Sequence, residues 1–321
     1  MIINSGEVNL INIKENIHNL LKKSFFIDIE TTGLSREYSD IISITVLLYE
    51  NNGYKITQIF CEYSIDEPEA LKYFYELISK KEYIITYNGN SFDIPFLMRK
   101  MQKYNLNIDL STFTKVDLYY WMKNIKNKIE VQNLKLKTAE KYFNINRNDT
   151  LGGEDIITLY KAYRIEPRKE FAELILQHNY EDVFNLPTLF SCILDMYDNI
   201  LHYDNLMVSI NSESTKIKKN TLICKCNIIS ALKTNYVNTN INFSLKTDLA
   251  SQTMELHIPL DFFKDDKIME FFFIDNVNYK VPKYTAIEGI KRNLLPIKFN
   301  DKIFYTNISN LIKTVLDSIF K

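Results

Sequence analysis

The sequence predicts an α/β domain built on a mixed sheet flanked by helices, followed by a smaller β-rich α+β domain. Three observations carry this. Strand-like segments at 24–30, 41–49 and 54–64 come in succession, with Gly53 in the second turn. A helix, a short strand and a run of further helices follow, reaching about residue 197. Beyond about residue 205 the texture changes to short strands closed by one helix. The boundary is expected near 200–215, which gives domains over 1–200 and 201–321.

Taken in order, residues 10–22 form an amphipathic lead-in. The segment Phe25-Phe26-Ile27-Asp28-Ile29-Glu30 is an apolar strand interrupted by two acids. Side chains two apart leave a strand on one face, so Asp28 and Glu30 point together. Such a pair repels itself and loses hydration, which is unfavourable without compensation. A divalent cation with oxygen preference is the simplest compensation. Thr31-Thr32-Gly33 then opens a turn where a substrate backbone could come close.

A helix is predicted over 67–80, starting near Asp66 and Pro68, and a strand over 83–87, ended by Asn88-Gly89. Ser91 is a candidate cap for a helix over 92–104, with Asp93 in its first turn, where negative charge is favoured. Residues 115–119 fit a strand or a helix start. Helices follow at 134–143, 153–164 and 169–186, with a kink at Pro187 and a further helix to Tyr197. In the third of these, His178 and Asp182 lie four apart and share a helical face. Strands are then expected at 241–246, 254–260, 269–274 and 278–281, and a helix at 306–320.

Hydrophobic content of 46% and charged content of 25% are ordinary for a globular chain. No apolar run reaches the roughly 18 residues of a membrane span. Residues 1–12 lack a basic stretch followed by an apolar core, so no secretory signal is expected and the cytoplasm is the default location. The net charge of −1 argues against binding long duplex by charge alone, so any nucleic-acid contact is local or helped by metal. Cys224-Lys225-Cys226 is too tight for a zinc knuckle and reads as two side chains on one strand face.

The order, spacing and flanks of three motifs resemble the DEDD superfamily of 3′–5′ exonucleases, which have an RNase H-like (DnaQ-like) fold. F-I-D-I-E-T-T-G-L at 26–34 is similar to the first motif, Y-N-G-N-S-F-D-I-P-F-L at 87–97 to the second and H-N-Y-E-D-V at 178–183 to the third. With Leu151-Gly152-Gly153 before a helix, the chain most resembles the bacterial YprB-like subfamily. The resemblance covers about 20–195 and not the C-terminal domain. It implies that Asp28, Glu30, Asp93 and Asp182 bind two Mg²⁺ or Mn²⁺ ions and that His178 is the general base. Family members with a tyrosine base keep it four residues before the last Asp, and histidine members usually five. This chain has a histidine at the tyrosine spacing, with Tyr180 a weak rival on another helical face.

The chemistry fits those residue types. Phosphodiester hydrolysis needs a nucleophile, stabilisation of an anionic state and help for the leaving oxygen, which two ions about 3.5–4 Å apart supply. Histidine, with a reference pKa of about 6.5, can take a proton at neutral pH. The resemblance further implies that Leu34 and Phe92 flank a terminal base, that Asn88 lies near the substrate backbone and that Thr31 and Thr32 face the phosphate. Leu and Phe are otherwise core residues and Asn88 a turn former. Lys123, Lys126, Lys128, Lys135 and Lys137, with Tyr119, Tyr120 and Trp121, could line a path for a single strand. A solvated helix face over a buried aromatic core is the alternative, and the same question attaches to Lys216, Lys218 and Lys219.

The expected function is therefore metal-dependent 3′–5′ exonuclease cleavage of single-stranded DNA or RNA, with no membrane partner. The competing readings are a structure-specific endonuclease on the same fold, a nucleic-acid-binding module without turnover, and a scaffold whose function lies in the C-terminal domain. In that domain Asp261, Asp265 and Asp266 read as turn acids.

Overall fold

The computed structural model describes residues 1–10, 15–126, 129–197, 200–203, 206–210, 215–230, 234–264 and 269–321. They form two compact units, Met1–Met196 and Tyr197–Lys321.

The first unit is built on a mixed six-stranded sheet in the order β1-β4-β3-β2-β5-β6. Strands β2 (Ser24–Thr31), β3 (Ile41–Glu50) and β4 (Gly53–Phe60) form an antiparallel meander. Strand β5 (Tyr83–Thr86) runs parallel to β2, and β6 (Thr114–Asp117) parallel to β5. Strand β1 (Ile2–Val8) pairs antiparallel with the free edge of β4.

Helices cover both faces. On one face α2 (Glu67–Ile78) and α3 (Asp93–Lys103) bury Phe74, Phe96 and Leu97 against Phe25, Ile27 and Ile29. On the other, α6 (Gly153–Ile165) and α7 (Lys169–Phe184) bury Ile156, Tyr160 and Ile175 against Ile42 and Phe60. Polar bonds fasten α7 to the sheet. Gln58 donates to the Leu176 carbonyl at 2.8 Å, and Ser43 and Thr45 donate to Asn179 at 2.9 and 2.5 Å.

Three local expectations change. The residues left open between strand and helix divide into β6 and then α4 (Leu118–Asn124), because Asp117 caps α4 by accepting from the Tyr119 amide. Strand β4 stops at Phe60, and residues 64–66 form a 3₁₀ turn. The expected single helix over 169–186 ends at Phe184. After α5 (Leu136–Tyr142), α6 and α7, α8 (Leu186–Asp195) begins with Pro187 in its first turn, where no amide is needed. The lead-in contains α1 (Glu15–Lys22), while 11–14 lie outside the described residues.

The second unit is β-rich. An antiparallel seven-stranded sheet joins β7 (Ile200–Tyr203), β8 (Leu206–Ile210), β9 (Lys216–Lys218), β10 (Thr221–Ser230), β11 (Val237–Thr239), β12 (Ser244–Asp248) and β13 (Thr253–Pro259). A four-stranded sheet joins β14 (Asp261–Lys264), β15 (Glu270–Asp275), β16 (Leu294–Phe299) and β17 (Lys302–Ile303). Ile258 and Leu256 from the first sheet, Ile274 and Ile297 from the second, and Leu311 and Val315 of α10 (Tyr305–Phe320) share one core. Cys224 and Cys226 lie two apart in β10, buried in that core as free thiols.

The strand expected at 278–281 is instead α9 (Asn276–Tyr279) and the residues after it. Asp275 accepts from the Val277 amide and starts a helical turn, so local capping overrides the alternating pattern. Asp261 opens a strand rather than a turn, and Asp265 and Asp266 lie outside the described residues.

Candidate active site

Strand β2 places Asp28 and Glu30 on the sheet face that α7 covers, because Ile27 and Ile29 take the opposite face into the core. Helix α3 begins at Asp93, whose carboxylate accepts from the Ile29 amide at 3.1 Å. That bond fixes Asp93 at the peptide between the two strand acids. The position before it is Phe92, with no side-chain cap, so Ser91 does not cap this helix. The Ser91 carbonyl instead accepts from Arg36 at 2.7 Å.

Helix α7 contributes His178, Asn179 and Asp182. His178 Nε2 lies 3.2 Å from Glu30 Oε1 and 3.5 Å from Asp182 Oδ2. The four-residue spacing therefore turns the imidazole onto both acids. Ligand atoms of Glu30, His178 and Asp182 all lie within 4.8 Å of one another, a set able to hold a metal ion. Asn179 donates to Asp28 Oδ2 at 2.7 Å. Tyr180 stacks on Phe184 instead.

The electrostatics follow from burial. Burial raises the Asp28 carboxyl well above its usual range, and the Asp93, Asp182 and Glu30 charges push it further. Burial raises Asp93 to about 7, against the Ile29 hydrogen bond. Glu30 is raised by burial and partly restored by His178. Burial works against a charged His178, yet the Glu30 hydrogen bond and the Asp182, Glu30 and Asp149 charges raise it to about 9. In the ion-free protein the imidazole is thus a cation among carboxylates.

Two residues absent from the sequence reading complete this frame. Arg147, 8% exposed, reaches Asp182 Oδ1 at 2.5 Å, Asp149 Oδ2 at 2.9 Å and Glu140 Oε2 at 3.2 Å. Asp149 Oδ2 lies 2.7 Å from His178 Nδ1. The segment carrying both is tied to α7, because the amides of Asn148 and Asp149 donate to Glu181 at 2.8 and 3.1 Å. The only sequence signal is a polar loop before Leu151-Gly152-Gly153, which resembles any connection between helices.

The donor set suits a hard divalent cation. Among the described residues, Glu30 and Asp182 have cationic partners, whereas the hydrogen bonds to Asp28 and Asp93 come from an amide side chain and a backbone amide. A buried Asp93 and a half-buried Asp28, whose hydrogen bonds among the described residues come from neutral donors, are the deficit that a bound cation would offset.

The other predicted substrate residues surround this centre unevenly. Leu34 is 84% exposed beyond the end of β2. Phe92 packs on Phe96 at 5.6 Å, half-buried at the core's edge. The Thr31 hydroxyl donates to the Gly33 carbonyl, and Thr32 accepts from the Asp40 amide, both at 2.8 Å, so both hydroxyls hold the turn. Asn88 adopts a left-handed φ of 65°, and its amide donates to Asp117 at 2.7 Å. A Cβ on Gly89 would lie 2.5 Å from Thr86, so only glycine fits this close approach.

Of the candidate strand path, Trp121 is 1% exposed and packs on Phe190, as the reading of a buried aromatic core expects. Lys137 is committed to Asp149 at 2.9 Å, and Lys128 lies outside the described residues. Tyr119 and Lys135 border an open pocket of about 400 Å³ together with Tyr87 and Asn88.

The mixed sheet, its covering helices and the acids at one end of β2 define an RNase H-like fold. Residues 25–194 match the family model of the RNase_H superfamily, and the chain belongs to that family. Among solved structures, similarity is found to the family B DNA polymerase from the hyperthermophilic archaeon Pyrobaculum calidifontis. It has 16% identity and a TM-score of 0.44, covering 53% of this chain and 24% of that one. A structure described as the apo form of the nuclease is similar at 14% identity and a TM-score of 0.35, covering 57% of this chain and 77% of that one. The chain thus spans about a quarter of the polymerase's length. Comparison with curated proteins gives no match. No described helix is long and apolar enough to cross a membrane.

Proposed function

We propose that this protein is a 3′–5′ exonuclease of the DEDD type, closest in pattern to the YprB-like subfamily, hydrolysing single-stranded DNA or RNA in the cytoplasm. The observation that supports this is the cluster of Glu30, His178 and Asp182, whose ligand atoms lie within 4.8 Å of one another, with Asp93 hydrogen-bonded to the peptide between the two strand acids and Asp28 beside them on the same strand.

Asp28, Glu30, Asp93 and Asp182 would hold two Mg²⁺ or Mn²⁺ ions. Bound there, the ions would polarise the phosphoryl group and ease both nucleophile formation and loss of the 3′-oxygen. The chain's own part is positioning and proton transfer. His178 Nε2 faces the acids and is the atom that would take the proton of the attacking water. Glu30 and Asp182, two of the three carboxylates that keep it protonated without ions, would face the ions, so loading the centre would remove part of the reason for its high pKa, while Asp149 stays on Nδ1. Thr31 and Thr32 hold the turn after β2, and Leu34, Asn88 and Phe92 would border the terminal nucleotide.

A binding module without turnover is the second reading, favoured by Arg147, whose guanidinium already neutralises Asp182. A 5′-labelled single-stranded oligonucleotide separates the two. With Mn²⁺ or Mg²⁺ the exonuclease leaves a ladder shortened from the 3′ end, lost in EDTA and in Asp28→Ala. Absence of products at micromolar enzyme, or equal products from Asp28→Ala, refutes the proposal. Running DNA and RNA, single- and double-stranded, side by side assigns the substrate.

A further inference from the structure

We propose that Asp149 is the positioning residue for His178, forming a buried dyad that aims Nε2 at the acidic centre. This rests on the nuclease reading for its catalytic meaning, though not for its geometry.

The two side chains are almost sealed from water, 2% exposed for Asp149 and 6% for His178, and their atoms meet at 2.7 Å. An imidazole on a helix retains rotation about its second side-chain torsion, which is broad and roughly two-fold. A flipped ring would turn Nε2 away from Glu30 and Asp182. A carboxylate against Nδ1 removes that freedom and requires a proton on Nδ1, which leaves Nε2 as the nitrogen able to exchange one.

Asp149 is itself held from four directions. Its Oδ2 accepts from Lys137 Nζ at 2.9 Å and Arg147 Nη2 at 2.9 Å, and Oδ1 from the Leu151 amide at 3.0 Å. Its own amide donates to Glu181 on α7 at 3.1 Å, three residues from His178. The carboxylate is therefore fixed relative to the helix that carries the imidazole. A surface acid that met His178 by chance would not be anchored in this way.

The test is a double-mutant cycle on the full chain with Asp149→Asn and His178→Gln, read as kcat and KM on a single-stranded oligonucleotide with Mn²⁺. Asp149→Asn is expected to lower kcat by about 10–100-fold, with KM nearly unchanged. In the His178→Gln background the same change has no further effect, because a residue that acts through another loses its role with that partner. Equal losses in both backgrounds overturn the proposal.

Proton NMR of the ion-free protein gives a second readout that needs neither cleavage nor a folded Asp149 variant. The wild type should show a far-downfield, exchange-protected imidazole proton coupled to the His178 ring through Nδ1. With four histidines in the chain, its loss in His178→Gln makes the assignment. Absence of this proton from the wild type overturns the dyad. A wild type that shows the proton and cleaves nothing refutes the nuclease reading and leaves the dyad standing.

Discussion

Arg147→Met tests how the site is held together without ions. The guanidinium, 8% exposed, meets Asp182 at 2.5 Å, Asp149 at 2.9 Å and Glu140 at 3.2 Å. Methionine fills much of the volume but removes the charge, leaving three carboxylates without this partner. Removing one member of a buried ion pair costs about 3–5 kcal/mol, because the stranded charge stays desolvated. For a unit of this size, each kcal/mol shifts the melting temperature by about 2–4 °C. The expected loss is therefore about 6–20 °C in EDTA, read by scanning calorimetry. Mn²⁺ at about a hundred times its dissociation constant returns about 2.7 kcal/mol, provided it binds only the folded site. At one fixed Mn²⁺ concentration the recovery should be larger in Arg147→Met than in the wild type, where competition with the guanidinium for Asp182 weakens ion binding. A variant melting within about 2 °C of the wild type would refute the structural part of this reasoning. A Mn²⁺ shift smaller in the variant than in the wild type would show that Asp182 is not contested.

Other perturbations have equally definite outcomes. Gly89→Ala drives a methyl against buried Thr86 and should cost about 1–3 kcal/mol in urea unfolding; an unchanged midpoint would contradict that contact. Lys100→Met leaves Glu67 buried without its cation, 3.0 Å away in the wild type, and should cost about 3–5 kcal/mol by the same measurement. Asp117 is raised to about 6 by burial despite three amide donors. Its folded pKa lies above the unfolded value, so the proton is held more tightly in the folded state. The resulting stabilisation is complete below about pH 4 and is lost as pH rises to about 6. Asp117→Asn should flatten that part of the ion-free stability profile, and an unaltered slope would remove Asp117 as its source.

The parts of this site that could be read in the sequence are those whose geometry is local. Asp28 and Glu30 share a face because a strand alternates, and His178 and Asp182 because a helix repeats in about four residues. Asp149 and Arg147 gave no such sign. Their roles come from tertiary contacts across 29 and 35 positions of chain, and a polar loop looks the same whether or not it has partners. Asn179 stands in the third motif without a local reason, since its bridge from Ser43 and Thr45 to Asp28 crosses two strands. Strand β1 has no sequence signature because Asn4, Ser5, Gly6 and Glu7 lie at a solvated sheet edge, where no apolar pattern is required. In the second unit, the α9 turn reads as strand because its capping Asp275 stands before the alternating segment.

The strand that carries the first two acids has a further consequence for how such a chain can diverge. Phe25, Ile27 and Ile29 enter the core while Asp28 and Glu30 face α7. Inserting or deleting one residue upstream of Asp28 would exchange these faces, putting carboxylates into the core and isoleucines beneath the helix. Point replacements along β2 can be graded and repaired by neighbours, whereas a change in its length is all-or-none. Descendants of this sequence that keep the site therefore keep the count of residues before Asp28.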